Sequence, residues 1–490
     1  MHKTLNLGAL TALAAALLLA GCANLAPDYH QPAAPVPQQW PGVPSGDGTT
    51  TIAPGSTATG APAAARDPAD IGWRDFLADA RLRRVVGLAL DNNRDLRVSA
   101  LNIERARAQY RVQDAARYPE IAAGASASSQ RLPTDLSRLG RAYVGRTDSV
   151  TIGISAWEID FWGRLRNLSE QAAQSYLATE DALRAARISL VAEVSTAWLT
   201  LAADGESLRL ASETLRSREA SLRLTQDKLR LGAASALDMQ QARSLVEGAR
   251  ADVENARTLV AQDRNALALL VGGELPADAL PADLDITVTQ LAELPAGLPS
   301  DVLVRRPDVR QAERTLAGAN ASIGAARAAY FPNISLTANY GTASAELGGL
   351  FKGGSAYWTF APSVNLPIFD MGRRRANVQI AEADRDIAVA SYEKAIQSAF
   401  REVADALARR ATIDSELAAR QAAVDASAEA LRLTEARYRQ GGADYLGVLD
   451  AQRSLYAAQQ SLIAARLARA GNLVTLYKVL GGGWRDDSAS

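Results

Sequence analysis

Apolar positions recur every seven residues in two stretches of this chain. Leu208, Leu215, Leu222 and Leu229 form one ladder, and Leu417, Val424, Leu431 and Tyr438 repeat it 209 positions later. A seven-residue period is the seam of a long helix packed on other helices. From Arg373 to Gln440 there is neither Gly nor Pro, so the pattern predicts one helix of roughly 100 Å at 1.5 Å per residue. Its counterpart from Arg164 to Arg230 is interrupted only by Gly205. A further helical pattern starts around Arg81 and stops at Tyr118-Pro119, where proline removes a backbone donor. Each long helix runs into a glycine turn, Leu231-Gly232-Ala233-Ala234-Ser235 and Gln440-Gly441-Gly442-Ala443-Asp444. Ser235 and Asp444 are suited to cap the helix that follows. The return helices carry Leu237 with Leu446, Val253 with Leu462, and Leu267 with Leu476. The expectation is two long helical hairpins with blunt tips at about 231–235 and 440–444.

Between these helices the period changes to two. Thr151 to Trp157 alternates, as do Asn333 to Tyr340 and Trp358 to Leu366. Strands are expected at about 121–158 and 333–367. Segments of about 10 alternating residues match a tilted transmembrane β-strand. Aromatic residues crowd the junctions, with Tyr118, Phe161 and Trp162 in the first half and Tyr330, Phe331 and Phe369 in the second. That is where an interfacial girdle belongs. Four strands cannot close a barrel, and lipid does not tolerate open sheet edges, so several copies must pool their strands.

The ladders are part of a larger tandem repeat. At the same offset Gly163 falls on Gly372, Gly232 on Gly441 and Gly272 on Gly481. Upstream, Asp95-Leu96-Arg97 matches Asp308-Val309-Arg310. The chain therefore divides into a first repeat at 73–272, a linker at 273–300, a second repeat at 301–484 and a short tail at 485–490. A duplicated set of long helices predicts a pseudo-symmetric wall or ring.

Residues 1–21 do not belong to this fold. Lys3, the apolar run Leu5 to Leu19, and Leu19-Ala20-Gly21-Cys22 resemble a bacterial lipoprotein signal cleaved before a lipidated cysteine. Cys22 is the single cysteine and stands where lipid attachment needs it. By the lipoprotein sorting rule, Ala23 after it points to the outer membrane. Residues 22–72, rich in Pro, Ala, Gly, Ser and Thr, are expected to form an extended tether from that lipid. One cysteine and two histidines leave no material for a disulfide, a nucleophile–histidine site or a His-rich metal site. No catalytic residue, metal or cofactor is expected beyond the covalent lipid on Cys22. Fifty-three basic and fifty-four acidic residues give no electrostatic case for nucleic acid.

Motifs spread from Pro27 to Trp484 then carry a resemblance. They include Asn92-Asn93-Arg94-Asp95-Leu96-Arg97, Trp157-Glu158-Ile159-Asp160, Gly163-Arg164-Leu165-Arg166, Leu303-Val304-Arg305-Arg306-Pro307-Asp308 and Leu449-Asp450-Ala451-Gln452-Arg453. The chain resembles the TolC-type outer membrane factors, in particular their OprM-like lipoprotein subgroup. The resemblance implies a mostly α protein with a transmembrane β part. It implies a homotrimer whose four strands per copy form one 12-stranded barrel, continuous with a long periplasmic α-helical barrel. The 273–300 segment would wrap its waist. The implied function is the outer-membrane exit channel of a tripartite efflux pump, fed by a periplasmic adaptor and an inner-membrane RND-type transporter. An exit duct for secreted proteins and a lipid-anchored, non-conducting coiled-coil scaffold are the alternatives. Arg305-Arg306-Pro307-Asp308 is expected to start a helix and pack it, not to bind a ligand. Leu446, Asp450 and Arg453 share one helix face and match the periplasmic gate of the subgroup. The first-repeat counterpart of Asp450 is Gln241, so an acidic ring would come from one repeat only. The small residues of the tips, Gly232, Ala233, Ser235, Gly441, Gly442 and Asp444, are expected to receive the adaptor.

Overall fold

The computed structural model describes residues 24–37, 40, 71–138, 140–281, 284, 300–440, 442 and 444–482. Cys22 and the signal, all of 41–70, most of the linker, Gly441, Ala443 and the tail lie outside the described residues. The elements run α1 (Trp73–Phe76), α2 (Ala80–Asn92), α3 (Arg94–Ala115), β1 (Ile121–Leu132), β2 (Tyr143–Glu158), α4 (Arg164–Arg230) and α5 (Ala236–Val271). The second repeat follows with α6 (Pro307–Ala328), β3 (Asn333–Ser344), β4 (Ala356–Asn365), α7 (Arg373–Arg439) and α8 (Tyr445–Val479). The two long helices, α4 and α7, have 67 residues each. Gly205 is accommodated within α4, because one glycine costs only about 1 kcal/mol against alanine in a helix.

The glycines of the repeat have a conformational reason. Gly163 and Gly372 precede the two long helices, and Gly272 and Gly481 follow the two return helices. All four have positive φ, between 73° and 87°, which a residue with a Cβ adopts only at a cost. At Gly272 a Cβ would also lie 2.5 Å from the Asn92 carbonyl.

The chain forms two compact units. The first holds the strands, the ends of the helices nearest them and the start of the chain. Its sheet is antiparallel in the order β1-β2-β3-β4. A bulge interrupts the β2–β3 register between Ile154 and Trp157, with Ala156 at φ 51°. The described start of the chain is hydrogen-bonded to the helices. Asn167 donates to the Asn24 side chain at 2.9 Å, Asn320 donates to the Pro27 carbonyl at 2.8 Å, and Gln31 donates to the Tyr392 hydroxyl at 2.9 Å. Gly324 makes the seat, since a Cβ there would fall 2.7 Å from the Ala26 nitrogen. Composition predicts an extended tether, and its described residues 24–31 are held by hydrogen bonds to Asn167, Asn320 and Tyr392, not by a hydrophobic pattern.

The second unit carries the main core. Trp73, Phe76, Leu82, Val85 and Val86 from the first two helices pack with Val191, Val194, Trp198 and Leu199 of α4 and with Leu267 of α5. Phe76 stacks on Tyr477 at 3.7 Å between ring centres. Trp198 is 1% exposed and donates its indole N–H to the Ala279 carbonyl at 3.1 Å. Truncating such a side chain costs about 3–5 kcal/mol. The start of the second repeat is pinned by Arg306, whose side chain is 8% exposed. It pairs with Asp308 at 2.6 Å and Glu402 at 2.8 Å, and donates to the Val479 carbonyl at 2.7 Å. Arg306 thus joins α6, α7 and α8. Trp40 stacks on Phe400 at 4.6 Å, a further contact made by the leader segment. No described helix is long and apolar enough to cross a membrane.

Candidate functional site: a two-faced sheet and the hairpin tips

Register sorts the strand residues into two faces, because side chains alternate along a strand. Ile121, Ala123 and Ala125 stand beside Ile154, Ile152 and Val150. On the same face Ile152 pairs with Tyr340, and Tyr340 pairs with Trp358. Ala338 pairs there with Phe360. The opposite face carries Ser126 with Ser149, Ser128 with Thr147, Asn339 with Thr359, and Asn333 with Asn365. The large residues of the apolar face are open, with Ile152 54%, Tyr340 62%, Phe360 62% and Trp358 73% exposed. A patch this large and apolar marks a membrane or partner surface. β1 and β4 each have a neighbour on one side only, so each leaves a row of unpaired backbone groups.

The predicted aromatics cluster at the helix end of the sheet. Trp162 stacks on Phe331 at 4.6 Å and donates its indole N–H to the Pro332 carbonyl at 2.9 Å. Trp157 donates to the Arg117 carbonyl beside Tyr118 at 3.2 Å. Tyr118, Tyr330, Phe331 and Phe369 are exposed, Phe369 to 81%, and Phe161 is half-buried. Ile368 and Met371 flank Phe369 and are exposed to 91% and 86%. Sequence reasoning did not single out Tyr340, Trp358 and Phe360 as belt residues. Only the register shows that they share one face.

The hairpin tips lie in the second unit. Ser235 and Asp238 form a reciprocal capping box, at 3.1 and 2.9 Å, that starts α5. Asp444 caps α8 by accepting from the Gly447 N–H at 3.0 Å. Gly232 has φ 73° and Ala233 donates back to the Lys228 carbonyl at 2.7 Å, which closes α4. Gly442 donates to the Arg437 carbonyl at 2.9 Å. A small apolar cluster, Ala242, Tyr445, Val448 and Leu449, ties the two hairpins together. It uses one face of α8. Leu446, 48% exposed, lies on the other, with Asp450 and Arg453, which are also exposed. Asp450 and Arg453 pair within the helix at 3.5 Å, a contact worth a fraction of a kcal/mol at this exposure. Leu231 and Leu237 are exposed to 81% and 66% beside the first tip.

Two polar groups of this unit carry no periodic signal in the sequence. Arg218 of α4 is 7% exposed, donates to the Leu245 carbonyl at 3.2 Å and lies 5.6 Å from the Tyr456 ring centre. It therefore bridges the two repeats one turn beyond Arg453. Further along, a cavity of about 610 Å³ is lined by Glu193, Asp263, Glu402 and Lys478 among others. Burial pushes the Asp263 carboxyl up to about 6, helped by a hydrogen bond shared with Asp204. No group of three or more potential metal ligands occurs among the described residues.

A sheet with one lipid-compatible face, one polar face and two open edges, in a chain otherwise built of long paired helices, defines an oligomeric β-barrel channel with a helical extension. The outer membrane efflux protein family model matches residues 85–273 and 298–482, and the chain belongs to that family. It is 47% identical over 473 residues to a probable efflux pump outer membrane protein, TtgC, of Pseudomonas putida, covering 96% of this chain and 95% of the relative. It is 46% identical to the outer membrane protein OprJ of Pseudomonas aeruginosa, covering 97% and 95%. Among solved structures, the open state of the Neisseria gonorrhoeae MtrE outer membrane channel is similar with a TM-score of 0.82. That similarity has 39% identity and covers 95% of this chain and all of that one. The protein is an outer-membrane exit channel of the efflux type. Its fold is that of a trimeric twelve-stranded barrel, four strands from each copy, with a helical periplasmic part.

Proposed function

We propose that this exit channel passively conducts drugs and other small molecules, delivered by a periplasmic adaptor and an inner-membrane RND-type transporter, to the cell exterior. The observation that supports the reading best is the division of the sheet into an apolar and a polar face. Closing three such sheets edge to edge satisfies every strand in lipid and encloses a polar pore that water and solutes can fill. Relatives named for efflux of toluene, solvents and antibiotics support small, mostly apolar cargo. The duct has no catalytic role and no energy source of its own.

On this reading Leu446 forms an apolar ring at the periplasmic entrance, and Asp450 forms a carboxylate ring steadied by Arg453. The tips around Gly232, Ala233, Ser235, Gly441, Gly442 and Asp444 receive the adaptor. Their small residues allow close backbone approach, and Leu231 and Leu237 offer apolar area. Cys22 carries the lipid, and the leader from Asn24 to Gln31 holds that end of the chain against the body.

The test is drug and solvent susceptibility of a deletion strain, alone and combined with deletion of candidate inner-membrane pumps. Increased susceptibility that a pump deletion does not deepen supports the reading. Unchanged susceptibility with loss of an exported protein favours a secretion duct. A purified protein that never conducts in planar bilayers favours the scaffold.

A further inference from the structure

The apolar face of the sheet ends in cations. Arg131 and Arg146 both lie on it. Arg131 pairs with Val144 and Arg146 with Ser129, in register with Ile121 and Ile154 farther down the same face. Ten residues separate Ile121 from Arg131. At about 3.3 Å per residue and a tilt of about 40°, that is a rise of roughly 25 Å, the height of a barrel's hydrocarbon band. The two arginines therefore stand at the rim of the band farthest from the helices. Taken as an outer-membrane channel with periplasmic helices, that rim is the outer leaflet's polar boundary.

Both guanidiniums are available there. Arg146 meets Asp148 through its Nε at 3.3 Å, while its own side chain remains 56% exposed and that of Asp148 only 3%. This contact orients Arg146 and leaves its terminal nitrogens for another acceptor. Arg131 is exposed and has no ion-pair partner among the described residues. Diagonal neighbours on adjacent strands lie about 7–8 Å apart, a spacing that lets two guanidiniums share one phosphate or grip two on one head group. Ser129 lies between them with a hydroxyl. The hairpin from 131 to 148 holds four arginines against two aspartates, so the surroundings are also net positive. Cations on a lipid-facing strand are costly at midplane and tolerated at an interface. Arginine in particular binds phosphate in a forked geometry.

The geometry points to a binding site for a phosphate-bearing lipid head group of the outer leaflet, formed by Ser129, Arg131 and Arg146 and braced by Asp148. The inference rests on the outer-membrane channel reading, and its test does not depend on efflux. Purified full-length protein in detergent is titrated with fluorescent diphosphorylated lipid A, with the dephosphorylated form and inorganic phosphate as comparators. The parent is expected to bind the diphosphorylated lipid at least tenfold more tightly than the dephosphorylated one, and inorganic phosphate at equal concentration should not compete. The double variant Arg131→Gln, Arg146→Gln should lose at least tenfold in affinity while remaining the same oligomer by native mass spectrometry. Arg105→Gln, on α3 away from the sheet, should bind like the parent. Equal binding of the two lipids would show an apolar belt without head-group recognition and overturn the site. So would unchanged binding by the double variant, and competition by inorganic phosphate would reassign the pair to free anions. If the double variant loses its oligomeric state, Asp148→Asn supplies the decision. Freed of its partner, Arg146 should then bind the lipid with altered affinity, and no change would overturn the bracing role and the site.

Discussion

Asp263 and Asp204 approach each other from α5 and α4, and the first stays protonated well above the usual aspartate range. Its folded value of about 6 exceeds the ordinary 3.8. The native state therefore binds more protons than the unfolded chain between those values, and this group makes stability fall as pH rises from about 4 to about 6. Above that window the penalty is constant. Asp263→Asn should remove that part of the pH dependence and raise the melting temperature at neutral pH, as read by thermal unfolding between pH 4 and 8 against the parent. An identical pH profile in the variant would show that the pair carries no strain. At the gate, Leu446 and Asp450 take no part in the buried cluster of α8, so their removal should spare the fold. The variant Leu446→Ala, Asp450→Ala should conduct more in planar bilayers and sensitise cells to large antibiotics that normally do not enter. Parent-like conductance and no new susceptibility would place the gate elsewhere.

Among the elements, the hairpins were legible and their mutual packing was not. Heptad spacing and glycine turns locate α4 and α7 within a residue and the starts of α5 and α8 after their caps, because those signals are local. That Tyr445, Val448 and Leu449 face inward while Leu446, Asp450 and Arg453 face out depends on how two distant hairpins meet. Arg218 belongs to the same contact, and an isolated arginine in a polar helix stretch has no sequence signature. For the tips, Gly442 allows a clean probe of docking. A Cβ there meets nothing closer than the Arg437 carbonyl at 3.7 Å. Gly442→Trp should therefore leave oligomer and membrane insertion intact and abolish drug efflux in the deletion strain. Full complementation by this variant would remove the second tip from the adaptor interface.

At the scale of the whole molecule, the open edges of the sheet make the single chain incomplete, and its stability in lipid belongs to the trimer. The leader contributes a further tie, through Asn24, Pro27 and Gln31. Cys22→Ser should abolish labelled palmitate incorporation. The barrel should still hold the trimer in the membrane, as membrane fractionation and native electrophoresis would report. Continued labelling would refute Cys22 as the acceptor, and loss of the trimer from the membrane would make the lipid, not the barrel, the main anchor.

Local pattern was enough for the tandem repeat, the lengths of the two long helices, the turns that start the return helices, the strand segments and the composition that leaves no material for common catalytic sites. Each of these follows from local periodicity, backbone-specific glycines or a residue count. Folding was needed to show which strand residues share a face, that Tyr340, Trp358 and Phe360 form one apolar surface, and that Arg131 and Arg146 stand at its rim. Strand register needs the partner strand, and β2 pairs with β3 across roughly two hundred residues of chain, a separation no local pattern spans. The seat of the leader's described residues was beyond local pattern for the same reason. Its anchors are single asparagines and a glycine seat on α4 and α6 and two aromatic residues of α7, and such contacts exist only once those helices have folded.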